Sequence, residues 1–373
     1  MNEHNAKKAP EWLQGDAPVL VTGAGGFIGR AVVRSLLNAG ANTRALVRSP
    51  GAGAISRLGA EVTRGTIASP GRALRGVDTV FHLAYDLRAS GSENLAEFRK
   101  FLNAIAHAGV SNLVHMSSVV VHDGWPVGDL VEDAPITPPD NGSSYRGAKI
   151  AMEALISDAV KKGQLSSATL LRPTLVYGPG SRIWSEAVVE RLRSGPILVP
   201  DMPRDHPAGR PFGLCHLVHV DDLARAAVVA GAAAKPGLRA YLISDPSPTT
   251  WPEYYCAQAR ALGVGTIEKR PFAELEDRLM PLTVGSVDHG PSLAARVSSK
   301  LRTIVGNDTI DVVGRRLRRI LQSNVAEQYP DRFLFDLYTA TGEIDVSRAE
   351  AELGFVRGAD VQGRLDEVAA FYS

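Results

Sequence analysis

Apolar positions along the chain follow two alternating patterns. Residues 17–22, 79–84, 112–117 and 168–172 are short, nearly unbroken apolar runs. In 30–40, 93–108 and 144–162, apolar residues instead recur every three or four positions. The runs predict parallel strands buried on both faces, and the spaced stretches predict amphipathic helices. Residues 42–47 and 61–64 add a second strand and a weaker third one. Strands alternating with helices of this length predict an α/β fold, a doubly wound parallel sheet with right-handed crossovers. After about residue 180 the rhythm breaks. Residues 181–214 are rich in Pro and Arg, 217–224 return to a strand leading into a helix, and 251–345 alternate helical stretches with Pro and Gly breaks.

The turn after the first strand carries the first chemistry. Gly23, Gly26 and Gly29 are spaced GxxGxxG between a strand and an amphipathic helix. The first glycine permits the tight turn, the second lets backbone approach a pyrophosphate, and the third lets helix pack on strand. The helix N-terminus then offers N–H groups and a positive dipole to phosphates. This predicts a dinucleotide-binding Rossmann core over 17–180, with 215–245 returning to it. Residues 181–214 and 246–373 are expected to form a smaller substrate-binding lobe over the C-terminal edge of the sheet, and 1–16 a flexible tail. At the end of the second strand an acid would bond the ribose 2′-hydroxyl. The chain reads Arg44-Ala45-Leu46-Val47-Arg48-Ser49 there. A guanidinium at Arg48 suits a 2′-phosphate, so NADP is expected ahead of NAD.

Composition narrows the class. With 373 residues and a net charge of +1, the chain has no global field that recommends nucleic acid or an anionic membrane. Apolar residues at 45% and charged residues at 22% are ordinary for a soluble protein. Cys215 and Cys256 are too few for a disulfide framework and lack metal spacing. No HExxH pattern and no membrane-length apolar stretch is present, and no secretory signal is expected from the polar first residues. A cytoplasmic enzyme without metal, acting on a small molecule, is expected.

Tyr145 and Lys149 form YxxxK, and residues four apart share a helix face. An ammonium beside a phenol, reinforced by an oxidised nicotinamide, is expected to stabilise the phenolate and fit the tyrosine for proton exchange with a secondary alcohol or ketone. Ser117 and Ser118 end the fifth strand, and Ser118 is the one expected to hold the substrate oxygen for Tyr145.

In this order, these motifs resemble the extended short-chain dehydrogenase/reductases, the NAD-dependent epimerase/dehydratase family. The resemblance runs from about residue 17 to the C-terminus. It rests on the 22–29 glycine turn, Phe81-His82-Leu83-Ala84, Met116-Ser117-Ser118, Tyr145 with Lys149, the 172–180 segment, the 219–224 segment, and 344–349 with Leu353-Gly354-Phe355. It implies Ser118, Tyr145 and Lys149 as catalytic residues. It implies Gly23, Gly26, Phe27, Ile28 and Gly29 at the phosphates, Leu83 and Ala84 on the adenosine side, and Pro173 beside the nicotinamide, with Lys149 also reaching the nicotinamide ribose. Asn94 matches a family asparagine or is a plain helix-surface residue. Where the family usually reads Gly-Asp after the third strand, this chain reads Gly65-Thr66-Ile67, with Ile67 on the cofactor side. Leu175 and Cys215 stand where nucleotide-sugar members usually carry Asn and Arg; Arg182, Arg191 and Arg210 are possible substitutes for that guanidinium. The expected activity is therefore an NAD(P)-dependent oxidoreductase. A nucleotide-sugar epimerase or dehydratase and an idle dinucleotide-binding scaffold are the alternatives. The family also implies a homodimer through the helix after strand four and the YxxxK helix. Leu95, Phe101, Ile150 and Leu155 either face that seam or pack within the domain.

Overall fold

The computed structural model describes residues 17–48, 51–139, 143–206, 209, 211–245, 249–279, 327–356 and 361–373. Arg210 and the whole stretch from 280 to 326 lie outside them. The apolar runs become strands β1 (Val19–Thr22), β2 (Thr43–Val47), β3 (Glu61–Arg64), β4 (Thr79–His82), β5 (Asn112–Met116) and β6 (Ser167–Pro173). The spaced stretches become α1 (Phe27–Asn38), α3 (Gly91–His107) and α4 (Tyr145–Lys161), and a short helix that no spaced stretch predicts, α2 (Ala52–Arg57), lies between β2 and β3. Two helices start earlier than periodicity alone predicts. Gly26 caps α1, so the turn glycines lead straight into it. Ser90 and Glu93 form a capping box that starts α3 before its first apolar residue.

Further along lie β7 (Leu175–Tyr177), α5 (Ala187–Ser194), β8 (Ile197–Asp201), β9 (Leu214–Cys215), β10 (Leu217–His219), α6 (Val220–Ala232), β11 (Gly237–Ile243) and α7 (Trp251–Leu262). The main sheet has seven parallel strands in the order β11-β6-β5-β4-β1-β2-β3. The order reverses between β1 and β4, the switch point where such sheets bind ligands. The seventh strand is β11, whose apolar residues gather in its last four positions while its first half is only partly buried at the sheet edge. The strand expected near 217 pairs with β7 in a small ladder beside the sheet.

Alternate residues along each strand face opposite layers, as the pleat requires. Val19 and Val21 pack towards α1 and α6, whereas Leu20 packs towards α3 and α4. Phe98 and Phe101 of α3 are fully enclosed in the second layer. Phe101 is therefore core and cannot reach a dimer seam. A further core of Trp251, Tyr254, Tyr255 and Tyr338 gathers α5, β8 and α7 with the helices Arg332–Tyr338 and Val361–Tyr372. The last of these returns to the main sheet. The Gly180 N–H donates to the Tyr372 hydroxyl at 3.1 Å, and Arg364 pairs with Asp221 at the start of α6. No helix among the described residues is long and apolar enough to cross a membrane.

Candidate functional site

The glycine turn closes on the switch point. Gly23 has φ +69°, and a Cβ there would lie 2.7 Å from the Ala84 amide nitrogen, so only glycine lets the ends of β1 and β4 touch. The Leu83 and Ala84 N–H groups donate to the Thr22 carbonyl and hydroxyl at 3.3 and 3.4 Å. A side chain at Gly29 would strike the Gly23 carbonyl. Gly26 brings no side chain to cap α1, and no acid stands in its first turn. The N–H groups of Phe27 and Ile28 and the dipole thus face the crevice without a competing carboxylate, which fits a dinucleotide pyrophosphate. Pro173 is buried at the end of β6, opposite Ile243. Ile67 packs half-buried against the α3–α4 layer.

The end of β2 differs from its reading in sequence. Arg48 does have an acid beside it, contributed by the loop after β4. Its guanidinium lies 3.0 Å from the Asp86 carboxylate. Arg88 donates to the same carboxylate through Nε at 2.9 Å and Nη2 at 2.8 Å. These bonds hold the Asp86 carboxyl well below the usual range, with Arg88 the largest influence. Asn94 is no plain surface residue. It is buried, accepts from the Asp86 N–H at 2.8 Å and donates to the Asp86 carbonyl at 2.9 Å, which staples this loop to α3.

Local bonds position the YxxxK helix. Ser144 caps α4 by accepting from the Gly147 N–H at 3.0 Å. The Gly91 N–H donates to the Ser143 carbonyl at 2.9 Å, tying the start of α3 to the residues that lead into α4. Arg146 donates to the carbonyls of Val120 and Val121, in the short turn that Ser118 caps. The Ser118 turn is thereby held against the start of the helix that carries Tyr145, and Ser118 is the one neighbour that lowers the pKa of its phenol.

The Lys149 ammonium donates to the Met116 carbonyl at 2.7 Å. It lies 5.8 Å from the Tyr145 ring centroid and 5.0 Å from that of Tyr85. Tyr85 also meets Tyr145 edge-on at 5.0 Å, a contact the sequence reading missed although Tyr85 directly follows Ala84. The expected lowering of the phenol by Lys149 is absent. Tyr145 is 39% exposed, yet the protein crowded around it pushes the phenol up to about 12, with only the Ser118 hydrogen bond pulling it down. Lys149 is committed to Met116 and sits over ring faces, and burial pushes it down to about 8.

A buried polar layer supports these residues. The Ser117 hydroxyl donates to Glu153 at 2.5 Å, so its proton is committed internally, whereas the Ser118 hydroxyl accepts from the Val120 N–H at 3.4 Å. Glu153 lies one turn beyond Lys149 and pairs with Arg172 at 2.7 Å. His82 and His115 face each other across β4 and β5 with their Nδ1 atoms 3.0 Å apart, and burial drives both well below the usual histidine range. Among the described residues, no group of three or more His, Cys, Asp and Glu is placed to hold a metal ion. Leu175 and Cys215 are both buried in the aromatic core and offer no partner to a diphosphate. Arg182 opens the turn before α5 and Arg191 lies on that helix.

Comparison with known proteins defines the class. The family model described as NAD dependent epimerase/dehydratase matches residues 19–243. The chain is 29% identical over 267 residues to a 2-alkyl-3-oxoalkanoate reductase of Stenotrophomonas maltophilia, covering 67% of this chain and 77% of that one. It is 26% identical over 280 residues to a 3-beta-hydroxysteroid dehydrogenase of Mycolicibacterium neoaurum, covering 70% and 74%. In fold it matches the UDP-glucose 4-epimerase of Bifidobacterium longum, solved with NAD+ and UDP, at a TM-score of 0.64, 18% identity and coverage of 95% and 97%. The protein belongs to the NAD dependent epimerase/dehydratase family, the extended short-chain dehydrogenase/reductases. Its chemistry is that of an NAD(P)-dependent oxidoreductase, exchanging hydride and proton at a secondary alcohol or ketone carbon of a small molecule.

Proposed function

We propose that the protein is a cytoplasmic, homodimeric ketoreductase that reduces an apolar ketone, using NADP with NAD as an admissible second cofactor. The observation that carries this reading is the placement of the Tyr145 phenol with the Lys149 ammonium 5.8 Å from its ring and the Ser118 turn held against the same helix by Arg146. A protonated phenol is a donor, and carbonyl reduction needs a proton at the substrate oxygen. When bound, the nicotinamide supplies the hydride. Ser118 orients the substrate oxygen towards Tyr145, and Tyr145 gives it the proton. Lys149 carries positive charge to the same corner and reaches the nicotinamide ribose. The turn of Gly23, Gly26, Phe27, Ile28 and Gly29 takes the pyrophosphate. Leu83, Ala84 and Ile67 flank the adenosine half, Arg48 the 2′-phosphate, and Pro173 the nicotinamide.

The substrate is read as apolar because Leu175 and Cys215 give a sugar diphosphate no anchor. The relatives named for a 2-alkyl-3-oxoalkanoate and a 3-beta-hydroxysteroid support the same chemistry. Both cysteines are free thiols, in keeping with a reducing compartment. Leu95 and Leu155, half-buried on α3 and α4, are the apolar positions left to a dimer seam beside the nearly buried Ile150. The test is consumption of reduced-nicotinamide absorbance with NADPH and a panel of ketones. Tyr145→Phe should lower kcat by roughly 10²–10⁴-fold. Inertness with every ketone, together with interconversion of a UDP-sugar without net cofactor turnover, would replace this reading with an epimerase.

A further inference from the structure

The ion pair between Arg48 and Asp86 spans the switch point. In the sheet, β1 lies between β2 and β4. Arg48 follows β2 and Asp86 follows β4, so their side chains meet over the C-terminal end of β1, beside the glycine turn. Neighbouring strands are about 4.8 Å apart, which puts the two outer strands roughly 10 Å apart. An arginine can bridge that span only by extending across the mouth of the crevice, and Arg48 does so with most of its side chain exposed.

Asp86 is fixed from behind. Asn94 takes both its N–H and its carbonyl, and the Arg88 N–H adds a bond to Oδ1 at 3.0 Å. With Arg48 and Arg88 both on its oxygens, the carboxylate occupies the kind of planar, forked position that guanidinium groups also offer a phosphate. Ribose with a free 2′-hydroxyl is neutral and can donate to a carboxylate in place. A 2′-phosphate is an anion. It is repelled by that carboxylate and must take the guanidinium groups from it.

We propose that Asp86 sets the balance between NADPH and NADH by acting as an internal anion on Arg48 and Arg88. It supplies, from the β4 loop, the acid that the end of β2 lacks. The proposal rests on the cofactor reading above. Wild-type binding curves for NADPH and NADH, read by fluorescence of the reduced nicotinamide, separate the two claims. If wild type binds neither nucleotide, the cofactor reading itself fails. If it binds, Asp86→Asn keeps the shape of the loop but releases both guanidinium groups. NADPH affinity should then rise relative to NADH by about 10-fold, the order of one charge-assisted contact. Arg48→Met, which leaves the loop and Asn94 intact, should weaken NADPH several-fold and leave NADH nearly unchanged. A ratio of the two affinities that stays the same or falls in Asp86→Asn overturns the proposal, as does Arg48→Met weakening both nucleotides equally.

Discussion

Tyr145 and Lys149 lie one helical turn apart, and burial acts on them in opposite directions. It raises the phenol to about 12 and lowers the ammonium to about 8, because in both cases it disfavours the charged form. Lys149 therefore carries a stability cost with a definite sign. Below about pH 8 its ammonium is charged in both the folded and the unfolded chain, and its desolvation counts fully against folding. Between about 8 and its ordinary 10.5 the unfolded chain holds the extra proton, so stability rises with pH. The full cost at neutral pH is about 3 kcal/mol. Losing the bond to Met116 offsets about 1 kcal/mol of what its removal would recover. Lys149→Met should therefore be more stable than the parent by about 1–3 kcal/mol at pH 7, while losing activity. Denaturant melts from pH 7 to 10.5 should show that advantage shrinking. A constant difference across the range would count against the burial argument.

The elements hold these residues through a few backbone contacts. The first turn of α3 lies against the segment that caps α4, and Gly91 sits at the contact. A Cβ there would lie 2.5 Å from the Ser143 carbonyl oxygen and 2.6 Å from that of Ser144. Neither is a flexible side chain that could swing aside. Gly91→Ala must therefore push the Ser144 cap and displace Tyr145. The expected loss is about 1–3 kcal/mol of stability, as for other overpacked sites. kcat should fall as well, since small misplacements of a reacting group are costly. Thermal melts and steady-state rates together check this. A variant with unaltered kcat would show that the α3 contact does not set the position of Tyr145. The buried Glu153–Arg172 pair supports the same corner from below, linking the Ser117 hydroxyl to β6.

For the whole molecule, what could be read from sequence depended on how local the contacts are. The glycine turn and YxxxK each lie within a few residues, so their geometry follows from one turn and one helix. Asp86 and Arg48 are 38 positions apart and meet only because β1 separates their strands, which no local pattern records. The strand β11 was missed because an edge strand needs no continuous apolar run along its whole length. Phe101 was ambiguous because an apolar helix position does not say whether its neighbour is the same chain or another. The C-terminal helix is joined to the crevice wall by the bond from Gly180 to Tyr372, so Tyr372→Phe should cost about 1 kcal/mol in chemical denaturation. No measurable change would mean that water replaces the hydroxyl there. That same bond has a consequence in time. Its partners are 192 positions apart, and at about 5–20 residues per second a ribosome takes roughly 10–40 s to make the second after the first. During synthesis, the loop at Gly180 must wait that long for its partner, well after the glycine turn and its helix have left the exit tunnel.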